Sequence, residues 1–341
     1  MSRSTQLGLA ALFALLLPAT RPEPPAPDVA GYWGVAIGMY PDEARRQGFS
    51  FPPDLEEVAQ LGASHVTLAV PWQSRDLHAS TIAPGEESID DDTFIEVAAR
   101  VRQAGMSPVV MPFIRLEQAA RDEWRGVLEP DDRDLWWRAY RRFILHYARL
   151  AQRARAPLFA IGSELSSMTG SRDAAHWRAL AAEVREVFPG RIAYVTNHDA
   201  LDRRAAFASV DVVGVSAYFE LTRDPDASQE VLRQAWREVA ARLASFSHEV
   251  HRPIVLFELG YPSVDSGAVH PWDYTLGSML DLEEQRRAYH AAVEAILETP
   301  AIEGALFWTW FGPGGAEDRW YTPRAKPAEA ELRRLLYARA R

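Results

Sequence analysis

From Gly31 onward the chain alternates between two textures. Short, nearly continuous apolar runs ending in polar or aromatic residues fall at 32–40, 65–72, 108–116, 158–165, 192–197, 210–218, 254–261 and 302–311. Longer amphipathic stretches rich in Ala, Arg, Glu and Leu lie between them, at 53–61, 90–104, 133–153, 173–188, 229–249, 283–298 and 327–340. A stretch at 199–207 is short and carries the weakest pattern. Unbroken apolarity suits strands buried on both faces, as in a parallel sheet. The intervening stretches carry helix punctuation. Pro53 suits a first turn, Asp90, Asp91 and Asp92 suit a helix N-terminus, and Gly105 suits a stop. Trp137, Tyr140, Ile144 and Tyr147 share one stripe of the 133–153 stretch, while Trp136, Trp177 and Trp236 also lie in helical stretches; all four tryptophans read as packing.

Eight strand–helix alternations without a hairpin signal predict an α/β fold, a single (β/α)8 TIM barrel. An open doubly wound sheet would carry a glycine-rich phosphate turn after its first strand. Here Gly38 is followed by Met39, Tyr40, Pro41 and Asp42. Before the barrel, Arg3 precedes an apolar run at 7–17, which reads as a secretory signal too short to span a bilayer comfortably. Residues 21–27 are proline-rich and should be extended. The expected organisation is a signal-like segment at 1–20, a linker at 21–30 and the barrel at 31–341, in a secreted or periplasmic protein. No later segment looks transmembrane.

Composition then removes whole classes of chemistry. With 37 basic and 47 acidic residues the net charge is −10, which disfavours nucleic acid or an anionic membrane as partner. There is no cysteine, so disulfides, thiolate zinc sites and cysteine nucleophiles are all excluded. The only lysine is Lys326, near the C-terminus, which argues against Schiff-base chemistry in the barrel. The only asparagine is Asn197. The nine histidines are scattered without metal-binding spacing. Gly312, Pro313, Gly314 and Gly315 could suggest a phosphate loop, but no second glycine-rich loop follows strand seven, so an ordinary turn is expected. No cofactor is called for.

In such a barrel the active site lies at the C-terminal strand ends. Those ends carry Tyr40, then Trp72 with Gln73, Arg115, Ser163 with Glu164, Asn197 with His198, Tyr218, Glu258, and Trp308 with Trp310. Glu164 and Glu258 stand out. A carboxylate after a strongly apolar strand loses solvation unless it is used or paired. Paired carboxylates perform glycoside hydrolysis, one protonating the leaving oxygen and the other attacking the anomeric carbon or activating water. Trp72, Trp308 and Trp310 are the candidate sugar platforms, and simple strand alternation would put Trp308 and Trp310 on one face.

These residues resemble clan A of the glycoside hydrolases, and most closely glycoside hydrolase family 113, whose characterised members are β-mannanases. The stretch Gly162, Ser163, Glu164, Leu165 resembles that family's strand-four motif, and Phe257 through Ser263 its strand-seven motif. Residues 213–218 resemble the strand-six segment and 304–310 the strand-eight segment. The resemblance implies a retaining endo-β-mannanase-like enzyme. Glu164 would be the acid/base, protonated when glycosylation begins, and Glu258 the ionised nucleophile supported by Tyr218. Trp308 would floor the sugar site. Many clan A enzymes have asparagine before the acid/base to hold the sugar 2-hydroxyl; here Ser163 stands there, and Asn197 could contribute. The alternative is a non-catalytic carbohydrate-binding barrel, for which a glutamate locked onto an arginine would speak.

Overall fold

The computed structural model describes residues 31–120, 123–273 and 279–340; the signal-like segment and the linker lie outside them. Eight strands close into a parallel barrel: β1 (Tyr32–Gly38), β2 (His65–Ser74), β3 (Ser107–Leu116), β4 (Leu158–Ser163), β5 (Arg191–Asn197), β6 (Val212–Ser216), β7 (Ile254–Leu259) and β8 (Ile302–Phe307). The ring is sealed where Tyr32 of β1 pairs with Gly304 of β8. Outside run α1 (Pro41–Gln47), α2 (Leu55–Gln60), α3 (Asp91–Gln103), α4 (Arg133–Arg153), α5 (Ala174–Val187), α6 (Gln229–Val250), α7 (Leu282–Glu298) and α8 (Ala328–Arg339). The predicted TIM barrel is therefore the observed one.

The helix starts follow local chemistry. Asp54, Asp90, Asp132, Ser228 and Asp281 each cap a helix with a side-chain oxygen that accepts first-turn N–H groups. The short α1 was not legible because it buries only Ala44 and so has no apolar stripe. The 199–207 stretch forms no α-helix; only a 3-10 turn, Phe207–Ser209, joins β5 to β6. There Thr196 Oγ1 donates to Ala200 O and Asn197 Nδ2 to Asp199 Oδ1, local bonds that compete with helix formation.

Strand alternation divides the core in two. Ala69, Val109, Met111, Leu158, Ala193, Val195, Phe257 and Leu306 fill the barrel interior. The opposite strand faces meet the helices in a larger outer layer that holds Trp136, Trp137, Trp177 and Trp236, as expected. At the N-terminal end, His65 is buried edge-on to Tyr32 and bonded to Ser64 Oγ, and burial pushes its pKa down to about 4. The polar groups of the opposite end are arranged differently.

Candidate active site

Glu164 follows β4 immediately and takes a left-handed backbone, φ 56°. Non-glycine residues adopt this region at a cost of order 1–3 kcal/mol and persist there only when neighbours hold them. Here its N–H donates to Val195 O at 2.8 Å, and the next N–H, of Leu165, donates to Tyr194 Oη at 3.1 Å. The turn leaves a buried carboxylate, 6% exposed, whose Oε2 accepts from Arg125 Nη2 at 2.5 Å.

Glu258 lies within β7, next to the inward-facing Phe257. Regular alternation would turn it out toward the helices. Register irregularities between Val215 and Ser216 on one side, and between Leu256 and Leu259 on the other, break that alternation. Irregularities of this kind re-aim a side chain, and Glu258 lines the mouth. Tyr218 Oη donates to its Oε2 at 2.9 Å. Burial first, then the charge of Glu164, push the Glu258 carboxyl up to about 7, while Arg125 and the Tyr218 hydroxyl oppose the rise. The arginine thus sits on the carboxylate expected to act as the acid, and the tyrosine on the one expected to attack.

A cleft of about 340 Å³ opens beside them, lined by Tyr40, Phe113, Arg115, Trp124, Arg125, Glu258 and Trp308 among others. Its size and its mixture of aromatic walls with a few charged groups suit a small polar ligand. Glu164 does not line this cleft; the guanidinium that covers its Oε2 does. Tyr40 packs edge-on to Phe113 and Phe311, with the Arg115 guanidinium 4.6 Å above its ring. A larger hollow of about 530 Å³ runs along α8 past Glu329, Arg333 and Tyr337, away from both glutamates. Among the described residues, no group of three or more His, Asp or Glu side chains could hold a metal ion.

Residues 43–319 match the model of Glycoside Hydrolase Family 113. The chain belongs to glycoside hydrolase family 113. It is accordingly a glycoside hydrolase. Its fold is similar to the family 113 β-mannanase of Alicyclobacillus acidocaldarius, at 25% identity and TM-score 0.77 over 92% of this chain and 99% of that one. A second family 113 β-1,4-mannanase matches at 20% identity, TM-score 0.77, over 91% and 99% of the two chains. The β-D-glucuronidase of Dictyoglomus thermophilum shares the barrel alone, at 13% identity and TM-score 0.61, over 90% of this chain and 50% of that one. No curated protein matches the chain.

Of the residues singled out in the hydrolase's sequence, the structure brings Glu164, Glu258, Tyr218 and Trp308 together at the mouth. Ser163 is buried there with an unpartnered Oγ. Asn197 ends β5, but its amide is engaged with Asp199 and its oxygen lies 3.1 Å from His198 Nδ1. Two expected platforms are not platforms. Trp72 stacks on Phe143 of α4 at 5.0 Å, because its neighbours in alternation, not Trp72 itself, face the interior. Trp310 is 1% exposed in the outer core; β8 ends at Phe307, so alternation does not carry Trp308 and Trp310 to one face. Arg125 and Trp124, which line the cleft, were not anticipated. They lie in the loop between β3 and α4, where no periodicity marks them; only the loop's length and position at the catalytic end point to it.

Proposed function

We propose that this family 113 hydrolase cleaves β-linked mannan or manno-oligosaccharides by a retaining, two-glutamate double displacement, with endo action. The observation that carries the reading is the pair of buried carboxylates at the ends of β4 and β7, one of them held by a tyrosine hydroxyl, in a family 113 barrel. The β-mannanase with 25% identity over almost its whole length supports the choice of sugar.

In the first step protonated Glu164 gives its proton to the glycosidic oxygen while Glu258 attacks the anomeric carbon. The leaving sugar departs and an α-linked glycosyl-enzyme remains. Tyr218 stabilises the carboxylate that attacks. In the second step Glu164, now ionised, takes a proton from water, which displaces Glu258 and restores the β configuration. Trp308, which lines the cleft, offers an aromatic face to the apolar side of the ring. The apolar run at 7–17 supports export of the protein to the periplasm or the medium.

The test is product analysis on a panel of β-linked polysaccharides and aryl glycosides, with the anomeric configuration of the first product read by NMR. Release of β-anomeric manno-oligosaccharides is expected. An α first product, or cleavage confined to non-mannan substrates, would overturn the mechanism or the sugar respectively. The Arg125–Glu164 contact is the one feature suited to a non-catalytic binding barrel; glycan binding without any cleavage on the panel would establish that reading instead.

A further inference from the structure

One cation stands where the proposed chemistry leaves it unexplained. Arg125 opens the short turn Arg125–Val127 in the loop after β3. Its Nη2 meets Glu164 Oε2 at 2.5 Å, its guanidinium lies 5.1 Å above the Phe113 ring, and its Nε is buried without a hydrogen-bond partner. The contact is therefore incomplete on the arginine side, and the same side chain walls the cleft.

We propose that Arg125 is a positioning residue that governs when Glu164 can act as the acid: it pairs with Glu164 in the free enzyme and releases it when a sugar hydroxyl in the cleft draws the guanidinium away. The inference rests on the two-glutamate reading above. A guanidinium against a carboxylate favours the charged form, and glycosylation needs Glu164 protonated, so the contact has to break before the first step. Because Arg125 lines the cleft and Glu164 does not, an incoming sugar meets Arg125 first. Guanidinium N–H groups donate well to sugar hydroxyls. Once Arg125 turns to the sugar, Glu164 has lost its counter-charge and can take up a proton from solvent, while Arg125 stays protonated. After the leaving group has taken that proton, Glu164 is again a carboxylate, the form the observed contact stabilises.

The other groups around the pair do not compete for this role. Tyr40 after β1, Tyr194 from β5 and Tyr218 after β6 are all pushed above the ordinary tyrosine range, chiefly by burial, and stay neutral. His198, at the end of β5, is pushed down by burial, and stays neutral near pH 7. Arg115 on β3 is engaged with Glu87 and Glu43.

The test compares wild type with Arg125→Met and Arg125→Lys. The pH dependence of kcat/KM is read on whichever aryl glycoside the wild type cleaves. Both limbs should move to higher pH in Arg125→Met, by about 1–3 units for loss of an adjacent opposite charge, and Arg125→Lys should restore most of the wild-type position. A lower kcat with unmoved limbs would overturn the proposal and leave Arg125 a structural or binding group. Carboxyl 13C titration of glutamate-labelled protein, assigned with Glu164→Gln and Glu258→Gln, reads the same proton without turnover. An unchanged titration in Arg125→Met would overturn the proposal even in a protein that cleaves nothing, whereas a shifted titration without cleavage would sustain it and fail only the hydrolase mechanism.

Discussion

Two of the buried ion pairs among the described residues of the hydrolase differ in one telling respect. Lys326, whose side chain has no exposure, donates to Asp318 Oδ1 at 2.8 Å, to Ser263 Oγ at 2.8 Å and to Trp320 O at 2.9 Å, so all three ammonium protons are used. Asp318 in turn accepts from the backbone of Gly314 and Trp320, fixing the glycine turn after β8. Its own aspartate thus holds this stretch as a turn, and an ordinary turn is what the sequence suggested. At the mouth, Arg125 holds Glu164 through a single hydrogen bond, leaves Nε unpartnered and faces a cleft. A buried charge with every donor satisfied serves the fold, because any change leaves a partner stranded. A buried charge with donors to spare beside a cavity can exchange partners.

The sharpest separation comes from the glutamates. Glu258→Ala should abolish turnover of every substrate. Glu164→Ala should lose about 10²–10⁴-fold on unactivated substrates yet still react with a dinitrophenyl glycoside, whose leaving group needs little protonation. Added azide should restore its turnover and give the β-glycosyl azide. Exchange of these behaviours between the variants would reverse the assigned roles.

The next effect belongs to the other ion pair. Lys326→Met strands Asp318 and should cost about 3–5 kcal/mol in urea unfolding, with kcat of the folded fraction unchanged. A loss under about 1 kcal/mol would mean that the cluster is not the structural one of the two. At the opposite end of the barrel, His65 is held neutral with its pKa lowered from 6.5 to about 4. The unfolded chain binds a proton that the native state refuses, so stability should fall as pH drops from 6.5 towards 4, by about 3 kcal/mol in all. His65→Gln should flatten that acid slope. The smallest effect separates the tryptophans. Trp72→Phe should change kcat/KM less than twofold and stability by about 1 kcal/mol, whereas Trp308→Ala should raise KM about tenfold through lost contact with the sugar, a loss near 1.4 kcal/mol.

Those two tryptophans also mark how far the sequence could be read. Eight apolar runs gave the barrel because strands buried on both faces leave a continuous signal, and Glu164 and Glu258 were legible because a carboxylate after such a run is costly. Which way a residue at a strand end points was not legible. It depends on parity and on the local register, and both depart from simple alternation around Glu258 and beyond Phe307. Parity alone would have turned Glu258 outward, while its chemistry argued for the mouth. Arg125 was invisible for a different reason. It reaches Glu164 across 39 positions from a loop without periodicity, and only closure of the barrel brings them together.

The most direct measurement is covalent trapping. Incubation with 2-deoxy-2-fluoro-β-mannosyl fluoride slows breakdown of the glycosyl-enzyme, and intact mass followed by peptide mapping locates the sugar. The account predicts one fluoro-mannosyl group per chain, on Glu258, and none in Glu258→Gln. A label on Glu164, or turnover of β-mannosides to α-configured first products with no trapped adduct, would contradict it.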